Sequence, residues 1–250
     1  MKSLVSRSFA MVVLLSLLPA CSSTPTPNPQ DYPEPIFTAE RIVPANFVDV
    51  TDVYDPWQGM NMRIYNFNYH FDQWVFLPVV RAWQAVVPGP ARTGVHNFFE
   101  NFRDMRSLFN SVLQASPTKA MHSTGRVLVN STVGLFGLID VASNMGIPKP
   151  DEDFGQTLGY WGVSPGPYLV LPLLGPSNLR DGVGELPDLA LQSYLQNDLL
   201  SQPLRTITFL FDSIDTREHT SFRYYETGSA FEYRTVRWLY STKRELDVEK

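Results

Sequence analysis

Asp55-Pro56-Trp57-Gln58-Gly59-Met60-Asn61-Met62-Arg63-Ile64-Tyr65-Asn66-Phe67-Asn68-Tyr69-His70-Phe71-Asp72-Gln73-Trp74 reads as the opening of a helical domain. Asp55 at the cap, Pro56 at the first helical position and Gln58 three residues after the cap fit a capping box. Trp57, Met60, Ile64, Phe67, Phe71 and Trp74 then recur at steps of three and four, an apolar stripe down a helix of about twenty residues. Asn61, Arg63, Asn66, Asn68, His70 and Asp72 cover much of the remainder.

The same period continues downstream. Trp74-Val75-Phe76-Leu77-Pro78-Val79-Val80 is apolar on every side, and Pro78 starts a new helix. This predicts a short hairpin over 74–87 that is either deeply buried or touches lipid. Its aromatic residues beside Arg81 and Gln84 favour a position in a membrane interface, which makes Trp74, Phe76, Leu77, Val80 and Trp83 interfacial candidates. From Arg92 to Gln114, Val95, Phe98, Phe102, Met105, Leu108 or Phe109, and Val112 share a helix face opposed by Glu100, Arg103, Asp104 and Arg106. Ser116-Pro117 opens another helix toward Asn130, followed by an apolar segment in which Gly134 and Gly137 predict a bend or a close backbone approach. Frequent Gly and Pro between 146 and 187 predict ordered loop with short helical turns, Tyr168–Leu171 reading as a brief strand. Helical spacing returns over 186–200 and 203–214, and Ser229-Ala230-Phe231-Glu232 reads as a capping box before a last helix. The expected class is all-α with Gly/Pro-rich ordered loops.

Upstream, the chain changes character. Lys2 and Arg7 precede ten largely apolar residues and a Leu18-Pro19-Ala20-Cys21 junction, so residues 1–20 read as a signal peptide. Ten helical residues rise about 15 Å, half of the roughly 30 Å hydrocarbon core, so the segment targets and does not span. Leu-x-Ala-Cys resembles the bacterial lipobox, which implies acylation of Cys21. Cys21 is the single cysteine of the sequence, and no internal disulfide can form. Ser22 and Ser23 follow it where an Asp would favour the inner membrane in that sorting system, which implies the outer membrane. Residues 21–53, with Pro25, Pro27, Pro29, Pro33, Pro35 and Pro44, read as a tether, and 54–250 as the helical domain.

Charge narrows the function. Removing 1–20 takes two positive charges from a net charge of -5, leaving -7 and no basic cluster suited to nucleic acid. Gly162-Val163-Ser164-Pro165-Gly166 matches G-x-S-x-G, but Pro165 has no N–H to offer an oxyanion and cannot begin the required helix. His70, His96, His122 and His219 show no metal-binding spacing, so no metal or cofactor is expected, and His70 and His96 read as packing or surface residues. Asp151-Glu152-Asp153 lacks a calcium loop and reads as a turn or helix cap.

Several longer stretches carry a family likeness. Asp55–Asn61, Tyr65–Asn68, Pro78-Val79, Asn97–Asn101, Asn110–Gln114, Gly137–Asp140, Asp153–Val163, Gly166–Pro172, Gly175–Ser177 and Arg180-Asp181 resemble, in order, successive motifs of the MlaA (VacJ) family of outer-membrane phospholipid-transport lipoproteins. The resemblance implies a ring-shaped helical body in the periplasmic leaflet of the outer membrane beside a trimeric porin. An amphipathic channel would pass mislocalised phospholipids to a periplasmic carrier protein, preserving lipid asymmetry without enzymatic chemistry. It implies that Asn66 and Phe67 help to set the ring and channel, and that Gly134 and Gly137 lie in a segment able to flex beside the opening. The alternatives are a structural lipoprotein of an envelope complex and a serine lipid hydrolase using Ser164.

Overall fold

Twelve elements follow one another in the computed structural model, which describes residues 52–250 except 200, 227 and 230, without the side chains of 196–199, 202 and 203. The signal segment, Cys21 and the tether lie outside the described residues. Residues 52–226 and Phe231–Lys250 form one compact unit.

Helix α1 (Gln58–Phe71) does not use its expected cap, since Trp57 stands at the cap position without a side-chain bond. The Asp55 carboxylate is buried instead against the last helix, accepting from Tyr233 Oη at 2.6 Å and from Arg237 Nη1 at 3.1 Å. A charged donor outcompetes a backbone N–H for the same carboxylate. The expected hairpin is also absent. From α1 the backbone runs on through a π-helical turn (Asp72–Phe76) into α2 (Leu77–Val86), all in right-handed helical geometry at the junctions. Pro78 offers no N–H to Trp74 and its ring crowds that carbonyl, which favours a wider turn over a sharp reversal.

Helices α3 (Gly89–Leu113) and α4 (Pro117–Thr132) pack together, and a short α5 (Val141–Asn144) follows the apolar segment. Asp140 caps α5 through Ser143 N, and Asp153 caps α6 (Phe154–Tyr160) through Gln156 N at 2.8 Å. The reading of 151–153 as a cap holds at Asp153, while Glu152 is buried with Lys119 Nζ at 2.8 Å.

β1 (Tyr168–Leu171), the expected strand, pairs antiparallel with an unforeseen β2 (Gly175–Asn178), in the register Tyr168 to Asn178 and Leu171 to Gly175. Pro176 stands opposite Val170, whose N–H points to the other side. α7 (Leu179–Leu199) begins seven residues earlier than its spacing suggests, with Gly182, Gly184 and Pro187 inside it. The glycines serve a crossing: a Cβ on Gly184 would lie 2.6 Å from the backbone nitrogen of Gly155 in α6. Helices α8 (Gln202–His219) and α9 (Glu232–Glu249) complete the described chain. Glu232 does not close a capping box; Phe231 is the cap position, and Glu232 Oε1 accepts from Tyr65 Oη at 2.8 Å. The fold is predominantly α-helical, and among the described residues no helix is long and apolar enough to cross a membrane.

Candidate functional site

The helices are turned the opposite way from those of a water-soluble protein. Among the described residues, twenty-four polar or charged side chains are buried against eight apolar ones. In α1 the buried positions are Asn61, Tyr65, Asn68 and Tyr69, while Trp57, Met60 and Phe67 of the predicted stripe are exposed. In α3 the interior takes Asn101, Asp104, Ser107, Asn110 and Ser111, leaving Phe109 and Val112 outside. In α4 it takes Ser123, Arg126 and Asn130, with Met121 70% and Leu128 60% exposed. The apolar stripes are real, but their exposed members face outward, while Ile64, Phe71, Val95, Phe98, Phe102 and Met105 are half-buried and Phe99 is buried. Each large apolar side chain left in water forgoes about 1.5–3 kcal/mol of burial, so the surrounding medium suited to these faces is itself apolar.

The interior is a connected polar network, which lowers the cost of burying each member. Asn61 donates to Tyr168 O at 3.0 Å and accepts from Val170 N at 2.9 Å. Seven residues on, about two helical turns later, Asn68 donates to Leu171 O at 2.9 Å and accepts from Leu173 N at 2.8 Å. The two amides on α1 thus take the place of a strand beside β1. Between α3 and α4, Arg126, 1% exposed, grips Asp104 with Nε at 2.9 and 3.1 Å and reaches Asp140 with Nη2 at 3.2 Å. Asn130 closes the cluster through Asp140 Oδ1 at 3.1 Å and Ala142 N at 2.9 Å. Burial pushes Asp104 up to about 6 against the pull of Arg126. Burial also opposes ionisation of Asp140, but hydrogen bonds from Ser143, Asn130 and Arg126 prevail and hold it at about 2. From α3 the network continues through Asn110, Thr157 and Asp188 to α6 and α7.

That cluster anchors an apolar loop. Between Thr132 and Asp140 the chain exposes Val133, Leu135, Phe136, Leu138 and Ile139, Phe136 to 81%. Leu135 and Phe136 have φ of 52° and 60°, and Gly137 has 89°, a left-handed run that bulky residues rarely adopt. Gly134 is a close approach: a Cβ there would stand 2.2 Å from Ile139 O and 2.5 Å from Asn130 O. Gly137 packs on Asn101, whose Cβ would meet an added methyl at 2.9 Å. The bend expected at these glycines is present.

The other sequence candidates scatter. Asn66 is exposed and accepts a bond from Tyr225 Oη, and Phe67 is half exposed beside Phe71. Trp74 is exposed, stacked on His70 with ring centroids 4.8 Å apart. Phe76 and Leu77 are half-buried. Val80 is buried, a correction to its reading as an interfacial residue, because it falls on the side of α2 turned inward. Trp83 is also held inward, its Nε1–H donating to Glu218 on α8 at 2.9 Å. Ser164 lies exposed in the loop before β1, where Arg180 N bonds to Pro165 O at 3.0 Å; the segment is a structured turn with no strand before it and no helix after it. A cleft of about 180 Å³ beside Asp153, Ser177, Asp181, Asp188, Tyr240 and Arg244 falls below the roughly 300–1,000 Å³ of small-molecule pockets.

The MlaA lipoprotein family profile matches residues 53–247. The chain belongs to the MlaA lipoprotein family. A solved structure described as the structural basis for maintenance of bacterial outer membrane lipid asymmetry aligns with a TM-score of 0.64 and 31% identity, covering 78% of this chain and 100% of that one. The intermembrane phospholipid transport system lipoprotein MlaA of Escherichia coli is 37% identical over 168 residues, 65% of this chain and 65% of the relative. An uncharacterized protein of Rickettsia prowazekii is 36% identical over 149 residues, 60% of this chain and 58% of the relative. The chain thus spans less than two thirds of the length of these curated relatives. What sequence spacing missed in this MlaA-family chain was the direction of its stripes. The available signal was the polar repeat itself, since Asn61, Asn68, Asp104, Arg126 and Asn130 fall on one face of each helix as regularly as the apolar residues do on the other.

Proposed function

We propose that this chain is an outer-membrane lipoprotein on the periplasmic face that removes mislocalised phospholipids from the outer leaflet and delivers them to a periplasmic carrier, maintaining lipid asymmetry. Signal peptide 1–20 is removed, Cys21 carries the lipid, and residues 21–53 tether the body of 54–250. The observation that supports this reading best is the polar interior inside an apolar exterior, with no spanning helix among the described residues. Such a body sits in one leaflet by its apolar faces, and its interior polarity suits a phospholipid head that an apolar passage would strand. A ring with an amphipathic channel, shaped in part by Asn66, Phe67, Gly134 and Gly137, and a trimeric porin beside it are the arrangement we infer from the family. No bond is broken in this transfer, and no cofactor is called for.

The test uses the lipidated protein reconstituted in liposomes with a labelled phospholipid and a purified periplasmic phospholipid carrier. Label reaches the carrier faster than from protein-free liposomes, and Phe136→Asp, which places a charge on the apolar loop, slows it. A transfer rate equal to that of protein-free liposomes overturns the proposal.

A further inference from the structure

Helices α3 and α8 face each other with complementary chemistry. α3 presents His96, Glu100 and Arg103, and α8 presents Asp212, Asp215 and His219. Asp215 is buried between them, its side chain 3% exposed. His96 Nδ1 lies 3.0 Å from Asp215 Oδ2, and His219 Nδ1 lies 3.2 Å from Asp215 Oδ1. The two imidazoles stack, centroids 3.7 Å apart and planes 18° from parallel. One ligand atom from each of the three residues falls within 4.8 Å of the others.

We propose that His96, His219 and Asp215 form a binding site for a borderline divalent transition metal, zinc being the ion best matched. Zinc bonds of about 2.0–2.1 Å in a tetrahedron place neighbouring ligand atoms about 3.3 Å apart. His96 Nδ1 and His219 Nδ1 approach different oxygens of Asp215, and one ligand atom from each residue lies within 4.8 Å of the others, so side-chain rotation that turns the stacked rings out of parallel brings them to that spacing. Two imidazole nitrogens and one carboxylate select zinc over calcium or magnesium, which take oxygen ligands. The histidines are partly exposed, His219 more than His96, so an ion enters from their side and a fourth position stays open to water. His219 Nδ1 now bonds to Asp215 O at 2.9 Å, and binding exchanges that bond for the metal, the ring proton moving to Nε2. Arg103 Nη1 stands 3.9 Å from Asp215 Oδ2, but Glu100 and Asp212, each at 2.6 Å, already answer its charge. Asp215 is thereby left to the imidazoles.

The site was invisible in the sequence because 119 residues separate His96 from Asp215. A bound ion would fasten α8 to α3 independently of lipid transport. The test titrates Zn²⁺ into the untagged, full-length, acylated protein in detergent, alongside the double variant His96→Ala/His219→Ala and each single variant. One zinc binds per chain, each single substitution weakens it roughly 10–100-fold, and chelation lowers the melting temperature of the wild type but not of the double variant. His70, His122 and the acylated Cys21 are common to all proteins compared. Equal zinc affinity in the wild type and the folded double variant overturns the site. So does displacement of zinc by equimolar Ca²⁺ or Mg²⁺, or a wild type that takes up no zinc, which leaves the pair a hydrogen-bonded stack.

Discussion

Asp153 shows how much a single buried ion pair does here. It caps α6 and receives both arms of the Arg244 guanidinium, Nη1 at 2.7 Å and Nη2 at 2.8 Å, so α6 and α9 meet at one carboxylate. Burial opposes its ionisation, but Arg244 and the Gln156 N–H prevail and lower it from 3.8 to about 2. A carboxyl depressed in the folded state contributes stability that is present above its unfolded value and is lost as pH falls through the folded one. The window is therefore from about pH 4 down to about pH 2, and the size is about 2 kcal/mol. Asp153→Asn removes that part of the acid dependence. Denaturant melts of the two proteins at several pH values check it: parallel stability curves across the window would show that Asp153 does not carry this term. The sequence offered Asp153 as a cap and nothing more. Its partner stands 91 residues away, and local spacing carries no trace of such a pairing.

At the scale of elements, most helices were legible because their period is local, whereas their caps and their facing were not. Asp55 and Glu232 look like capping residues in sequence, yet each serves a distant tyrosine instead. The glycines were legible as a bend, and the structure gives the reason at Gly134 and Gly137. Gly146 supplies a control, with φ of 74° and open space around its missing Cβ. Gly146→Ala therefore meets backbone strain alone, about 1 kcal/mol. Gly134→Ala meets backbone oxygens that cannot withdraw without opening the loop, and it costs more, about 2–4 kcal/mol. Thermal unfolding of the two variants under one set of conditions measures the difference, and equal melting temperatures would contradict the packing described for the loop.

For the molecule as a whole, the apolar exterior makes a prediction about attachment. Acylated Cys21 is expected to retain the protein at the membrane, but α1, α3, α4 and the 133–139 loop expose enough apolar surface to bind lipid themselves. A Cys21→Ser protein, exported behind a secretory leader and left without its acyl chain, floats with liposomes and stays bound through a high-salt wash. Recovery in the aqueous fraction would show that the acyl chain is the whole attachment. Salt is the informative variable, because a mature chain of net charge -7 has little to gain from an anionic surface and its binding must come from apolar contact.

The amides that Asn61 and Asn68 set against β1 have a further effect. A two-stranded ribbon has two open edges, and any open edge is a template on which another chain's strand can form. On the α1 side of β1, the groups a recruited strand would need, at Tyr168, Val170 and Leu171, are already taken by two side chains, and Tyr168 N is taken by Tyr54 O at 3.0 Å. A helix has sealed that edge with amides that are chemically peptide groups but cannot propagate a sheet. Copies crowded in the plane of a bilayer can therefore collide along this face without zippering into fibres.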